Sequence, residues 1–388
     1  MKKPEKALNP TVFRLGLVSL FADISSEMLY PITPIFLTSV LGASMASVGL
    51  IEGCAEAIAS LMKTYSGMWS DRISKRKPFV AIGYLLAAVA KPITGASSSW
   101  THVLFARALD RTGKGIRTAP RDALLAEAVS ENLRGAAFGW HRAMDTLGAA
   151  IGPLLAILYL SANHDLRKIY YWALIPGLIS VFLVLTLTEK KQSIQKATPK
   201  ASFFPRTTLK PAFKNFLCAW GAFSITNSSD VFLLMKTKAA GIGLTELILL
   251  YCFYNLSYAL LSPYLGSLSD RIGRRRILIA GLLVFAFVYL GFSFASLRWE
   301  FWFLFSVYGM YMAATDGVGK ALAIDLVGAK EKATGIGILG TVTGISTLIA
   351  SCVGGILWDH FGASATFLYG ACGAIVAILI FLFGETFQ

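Results

Sequence analysis

Residues 105–129, FARALDRTGKGIRTAPRDALLAEAV, hold five cations (Arg107, Arg111, Lys114, Arg117, Arg121) and three acids (Asp110, Asp122, Glu127). Cations at such density can hold an anion through charge-assisted hydrogen bonds, and the planar fork of Arg fits carboxylate or phosphate. At about 100° per residue on a helix, all of these except Glu127 fall within an arc of roughly 140°. The stripe would be about 21 Å long at a 1.5 Å rise. Arg111, Lys114 and Arg117 are the first candidates for binding an anion, with Arg107 and Asp110 beside them.

Other ionisable residues share helix faces. Asp23 and Glu27 stand four apart, as do Glu52 and Glu56, the latter with Lys63 on the same face. His141, Asp145, Gly148 and Gly152 share another face, which adds Asp145 to the substrate-binding candidates. Desolvation raises a carboxyl pKa and a nearby Arg lowers it, so a change of conformation can load and release a proton. Asp23 and Glu27 rank first for that role, followed by Glu52 and Glu56. The later part of the chain is poorer in charge, with Asp230, Lys236, Lys238, Glu246, Asp316 and Lys320.

Several chemistries lack their residues. No GxxxxGK[ST] phosphate loop occurs, and RTGKG has the wrong spacing for one. Four histidines (His102, His141, His164, His360) form no nucleophile–base or metal constellation. Five scattered cysteines make no CxxC and are expected to be small buried hydrophobes. The sequence therefore points to no enzyme, cofactor or metal.

The elements that must position the charge are apolar. Of 388 residues, 55% are hydrophobic and 15% charged, and the mean hydropathy is +0.61. Apolar runs long enough to cross a bilayer recur throughout, near 11–38, 45–68, 78–97, 101–128, 137–160, 169–188, 213–237, 245–267, 276–296, 300–327, 335–357 and 363–384. No alternating strand pattern competes, so the expected fold is an all-α bundle of twelve transmembrane helices. Asp23 and Glu27 interrupt the first run, which reads as a retained helix rather than a signal peptide. A charge facing lipid near the bilayer centre costs at least about 2.5–3.5 kcal/mol. The stripe at 107–122 must therefore face partner charges or a water-filled chamber.

The net charge of +14 follows the positive-inside pattern rather than a nucleic-acid footprint. Cations crowd the N-terminus, 72–77, 190–210 and 271–276, whereas LGASMAS, GASSSWTH and DHFGAS carry none. Both termini are expected in the cytoplasm, with the chain in the plasma (inner) membrane. Residues 189–212 read as a cytoplasmic linker between a six-helix half at 1–188 and another at 213–388.

The halves repeat each other. GMWSDRISKRK (67–77) returns as GSLSDRIGRRR (266–276), SSEMLYP (25–31) as SSDVFLL (228–234), and LLAEAVSENLRGAAFG (124–139) as LAIDLVGAKEKATGIG (322–337). Parallel six-helix repeats are a known transporter plan. The two SDR-containing segments resemble the loop signature of the major facilitator superfamily, with Ser74 in place of its glycine in the first copy. Arg107 and the glycines after it resemble the family's fourth-helix motif. GAAIGPLLA (148–156) is similar to its antiporter-associated fifth-helix motif, with Ala156 replacing the last glycine. The resemblance implies a cytoplasmic gate at Asp71 and Arg72, with Arg72 against Glu127. Asp270, Arg271 and Asp325 would be the second-half counterparts, and Arg121 with Asp122 a structural or gating pair.

The expected protein is a monomeric, proton-coupled secondary transporter that moves a small anionic or zwitterionic organic solute by alternating access. Its partners would be that solute, protons and the lipid bilayer. Two alternatives stay open: a multidrug or cation efflux proton antiporter using the acids of spans 1 and 2, and a membrane receptor or scaffold that transports nothing.

Overall fold

Asn9 starts the first helix, its side-chain oxygen accepting from the amides of Thr11 and Val12 at 3.0 Å each, with Pro10 at the first helical position. The computed structural model describes residues 9–73, 75–130, 133–162, 165–187, 210–327 and 332–383, apart from the side chains of 64, 71, 72, 135 and 332–334. Helix α1 (Pro10–Glu27) gives way to an irregular stretch, the short α2 (Thr33–Ile35) and a π-helical turn at Phe36–Val40. Pro31 and Pro34 lack the backbone donors that a continuous helix needs.

Then come α3 (Met45–Ile73), α4 (Lys77–Gly95), α5 (Trp100–Glu127), α6 (Arg134–Ala162) and α7 (Lys168–Leu185). The later part repeats the plan with α8 (Pro211–Ser224), α9 (Val231–Ala239), α10 (Leu244–Ile272), α11 (Arg274–Phe294), α12 (Arg298–Leu326), α13 (Lys332–Phe361) and α14 (Ala363–Phe383). Each of the twelve expected spans coincides with one helix, except the first and seventh, which are broken. Residues 188–209, most of the expected linker, lie outside the described residues.

Among the described residues, eight helices combine spanning length with high hydropathy; α5 has 28 residues but is not one of them, because of its charges. Large apolar side chains such as Phe105, Trp172, Phe182 and Phe294 are exposed, as lipid contact allows. Cys218 and Cys372 are exposed and the other three cysteines half-buried, against the expectation of burial. In lipid an outward-facing thiol forfeits nothing.

The helices form two compact units, residues 1–41 with 58–203 and residues 42–57 with 204–388. In the first, α1 packs on α6 and α7, and α4 on α5 and α7. In the second, the repeat-related helices make the same pairings: α8 packs on α13 and α14, and α11 on α12 and α14. The signature loops do equivalent work in both. Lys77 Nζ donates to the carbonyls of Leu185 and Leu187 at 2.8 and 2.7 Å, at the end of α7 and just beyond it. Arg275 donates to Phe381 and Leu382 at the end of α14. Each cation thus satisfies carbonyls that a helix terminus leaves open and meets the negative end of its dipole.

Candidate functional site

In the first unit the charge stripe of α5 is divided among different neighbours, because α5 is enclosed on more than one side. Gly113 allows α4 to approach: a Cβ there would lie 2.4 Å from the Gly83 carbonyl oxygen. Arg117 is 6% exposed, and its guanidinium lies 4.1 Å from the centroid of the Tyr84 ring. A desolvated contact of this kind contributes about 2 kcal/mol. Arg111 is also buried, with Nε 3.9 Å from Asp110 Oδ2. Arg107 Nη1 approaches the same oxygen at 3.7 Å. Arg121 binds Asp122 at 2.8 Å, while Lys114 is exposed. Of the expected anion-binding trio, Arg111 and Arg117 are thus buried and Lys114 is exposed.

Four cations act on Asp110. It lies in the field of Lys91, Arg111, Arg107 and Arg117. Lys91, on α4 and 6% exposed, donates to the Ala87 carbonyl at 2.9 Å. Lys91, Arg107 and Asp110 border a cavity of about 30 Å³ with Tyr30, Thr33, Thr94 and Tyr170. That is room for about one ordered water. Tyr170 donates to Thr33 Oγ1 at 3.1 Å, so the wall includes the broken segment after α1. Lys91 was not among the expected site residues. A single lysine within an apolar span was the signal, since ionisable groups in membrane helices mark functional sites by default.

A second group gathers where α1 meets α6. Gly148 and Gly152 let α6 lie on the α1 backbone: Cβ atoms there would meet the carbonyl oxygens of Leu20 and Ile24 at 2.6 and 2.8 Å. The same glycines face the Cβ atoms of Asp23 and Glu27. Ser19 donates to Asp145 Oδ1, and His141 Nδ1 stands 3.7 Å from Asp145 Oδ2. Asp23 interacts electrostatically with Asp145 and Glu27 and with the cations Arg117 and Lys114. This links the acid group to the α5 stripe.

Glu52 and Glu56 sit on the part of α3 that groups with the second unit, where they act on Asp230. Asp230 accepts hydrogen bonds from Tyr308 at 2.6 Å and Tyr254 at 3.1 Å. Tyr258 donates to Asp316, which also pairs with Lys320 at 2.6 Å.

Of the expected gate residues, the side chains of Asp71 and Arg72 lie outside the described residues. Glu127 pairs with Arg76 at 2.6 Å. Asp270 and Asp325 are joined by Arg274, at 3.2 and 2.8 Å, and Arg271 is exposed.

Comparison with known proteins places this geometry. Residues 15–237 and 216–387 match the sequence profile described as Major Facilitator Superfamily. An uncharacterized MFS-type transporter of Methanocaldococcus jannaschii is 36% identical over 387 residues, spanning 98% of this chain and 96% of the relative. Among solved structures, the nucleoside transporter NupG superposes with a TM-score of 0.81 at 14% identity, covering 98% of this chain and all of that one. A bacterial homolog of the human lysosomal transporter Spinster, inward-facing and occupied, gives 0.79 at 15% identity, covering 97% of each chain. At such identities the two superpositions speak to the fold.

Proposed function

Because the chain belongs to the major facilitator superfamily, a family of membrane-embedded transporters of small molecules, we propose that it moves a small anionic or zwitterionic organic solute by proton-coupled alternating access. The cavity bordered by Lys91, Arg107 and Asp110 carries the reading on solute charge. A solute carboxylate or phosphate entering there takes over cations that otherwise serve Asp110, which leaves Asp110 available to a positively charged group on the same solute. Only movement of helices gives such a solute room, and the means for it are present in the broken segment 28–32 after α1 and in Pro92 of α4.

The group at Asp23, Glu27 and Asp145 supports proton coupling. Ionisable groups gathered within membrane helices are the natural carriers of a transported proton, and nearby Arg117 and Lys114 give the cation side of the exchange. Gly148 and Gly152, from the antiporter-like motif, pack beside Asp23 and Glu27, which favours antiport. We place the protein in the plasma membrane, acting as a monomer with both termini cytoplasmic.

The test begins with a thermal-shift screen of purified protein against metabolites and drugs, followed by counterflow of each stabilising compound in proteoliposomes. The reading expects at least one anionic or zwitterionic compound to exchange. Exchange confined to hydrophobic cations would replace it with the efflux alternative, and stabilisation without any exchange would favour a receptor.

A further inference from the structure

We propose that the second unit holds a binding site for an organic ammonium group at Asp230, walled by Tyr254 and Tyr308. Helix α8 ends at Ser224 and α9 begins at Val231, so Asp230 stands at the end of a helix break. The break has no proline; its sequence, SITNSSD, is rich in side chains that compete with the backbone for hydrogen bonds. Each carboxylate oxygen of Asp230 accepts one phenolic proton, from Tyr308 at 2.6 Å and Tyr254 at 3.1 Å. A carboxylate offers about four lone-pair sites, so acceptor capacity remains on both oxygens.

The charge of Asp230 is not matched. Among the described residues no Lys, Arg or His pairs with it, and the acids Glu52 and Glu56 act on it. Asp230 is half-buried, and an anion partly withdrawn from water without a counter-charge is unfavourable unless something supplies one. Independent of the acids, polar atoms around the break are short of partners. Asn227 Oδ1 is buried without a hydrogen bond, and the hydroxyls of Ser228 and Tyr289 have only each other. Ser228 is 3% exposed and Tyr289 fully buried. Tyr289 and Tyr311 both act on Asp230 electrostatically. Asn227 donates its amide to Tyr311 at 3.1 Å, which leaves its oxygen as an acceptor.

The neighbourhood thus combines a carboxylate that no cation pairs with, an open amide acceptor and aromatic rings. Tyr254 and Tyr308 meet at 5.5 Å between centroids with planes 66° apart, and Tyr308 and Tyr311 at 5.3 Å. A carboxylate set among aromatic side chains is the chemistry that recognises an alkylammonium, by charge first and by cation–π attraction where a ring can turn its face to the ligand. A small hard metal ion is served better by several carbonyl and carboxylate oxygens than by phenyl rings. The site belongs to the second unit alone. It does not rest on the anion-binding cavity, and its test does not require transport.

The experiment titrates full-length protein in lipid nanodiscs with tetramethylammonium chloride at constant ionic strength against sodium chloride. Neopentyl alcohol serves as the uncharged isostere, and binding is read by calorimetry. The expected result is saturable binding of tetramethylammonium alone, weakened about tenfold or more by Asp230→Asn, the loss expected for one charge-assisted contact. Tyr308→Phe, which keeps both the ring and the carboxylate, should bind within about threefold of wild type. If Asp230→Asn does not fold, carbodiimide labelling of wild-type Asp230, read by mass spectrometry, takes its place: tetramethylammonium should protect it. No saturable binding, equal binding by Asp230→Asn, unprotected Asp230, or equal binding of sodium or the alcohol would overturn the proposal. Intact counterflow alongside any of these would leave the transporter reading standing.

Discussion

Arg76 holds Glu127 at 2.6 Å in the first unit, and the same number of residues further along the chain Arg274 holds Asp325 at 2.8 Å in the second. Each pair joins a signature loop to the end of the following unit helix, α5 or α12. Both pairs are partly exposed, so each contributes under about 1 kcal/mol to static stability. Their value lies in being made and broken between states. Arg76→Glu should change Tm little and shift cysteine labelling between the two sides of the membrane, and the double variant Arg76→Glu/Glu127→Arg should restore the wild-type labelling. Labelling unmoved by Arg76→Glu would contradict a gating role.

The contact of Arg117 with Tyr84 predicts an unequal response to two substitutions. Tyr84 Oη is buried without a hydrogen-bond partner, so Tyr84→Phe keeps the ring and removes an unsatisfied group. It should leave stability unchanged or slightly raised. Tyr84→Leu should lose about 2 kcal/mol or more through the lost cation–π contact, visible as a lower Tm in detergent. Equal behaviour of the two variants would show that the ring does not hold Arg117.

Gly148 is predicted to tolerate no side chain. Valine there must displace the α1 backbone at Leu20, 2.6 Å from the first added atom, and overpacking of this kind costs about 1–3 kcal/mol. Tm should fall and transport with it. Retained Tm and transport in Gly148→Val would show that α6 and α1 do not need this approach.

Asp23→Asn should abolish accumulation driven by a pH gradient while sparing exchange at equal pH on both sides. Asp145→Asn should act in the same direction, because it removes one of the charges that act on Asp23. Full pH-driven accumulation in both variants would remove these acids from the proton path.

The fold was legible because membrane helices are written in long apolar runs, and ten of the twelve runs coincide with single helices while the first and seventh are broken. The first helix break was also legible, from Pro31 and Pro34. The second was not: it has no proline, and Ser and Asn in SITNSSD carry a weaker signal. The α5 stripe shows the limit of a helical wheel. It correctly placed Arg107 and Asp110 together, but it assumes one buried face, and α5 is covered on several. Arg117 went to an aromatic ring and Lys114 to the exposed side. Lys91 and Tyr84 come from α4, and no periodicity within α5 reveals them. Arg76 reaches Glu127 and Arg274 reaches Asp325, and neither cation was singled out from the sequence, because a signature rich in cations does not say which of them faces the acid.

The central claim is that Lys91 and Arg107 receive the charged end of a transported solute. Counterflow kinetics in proteoliposomes test it most directly, with the solute identified by screening and with wild type, Lys91→Gln and Arg107→Gln compared at equal protein orientation. The account predicts that each variant folds, retains exchange and shows an exchange KM raised about tenfold or more, as loss of one charge-assisted contact requires. An unchanged KM for an anionic or zwitterionic solute in both well-folded variants would contradict it.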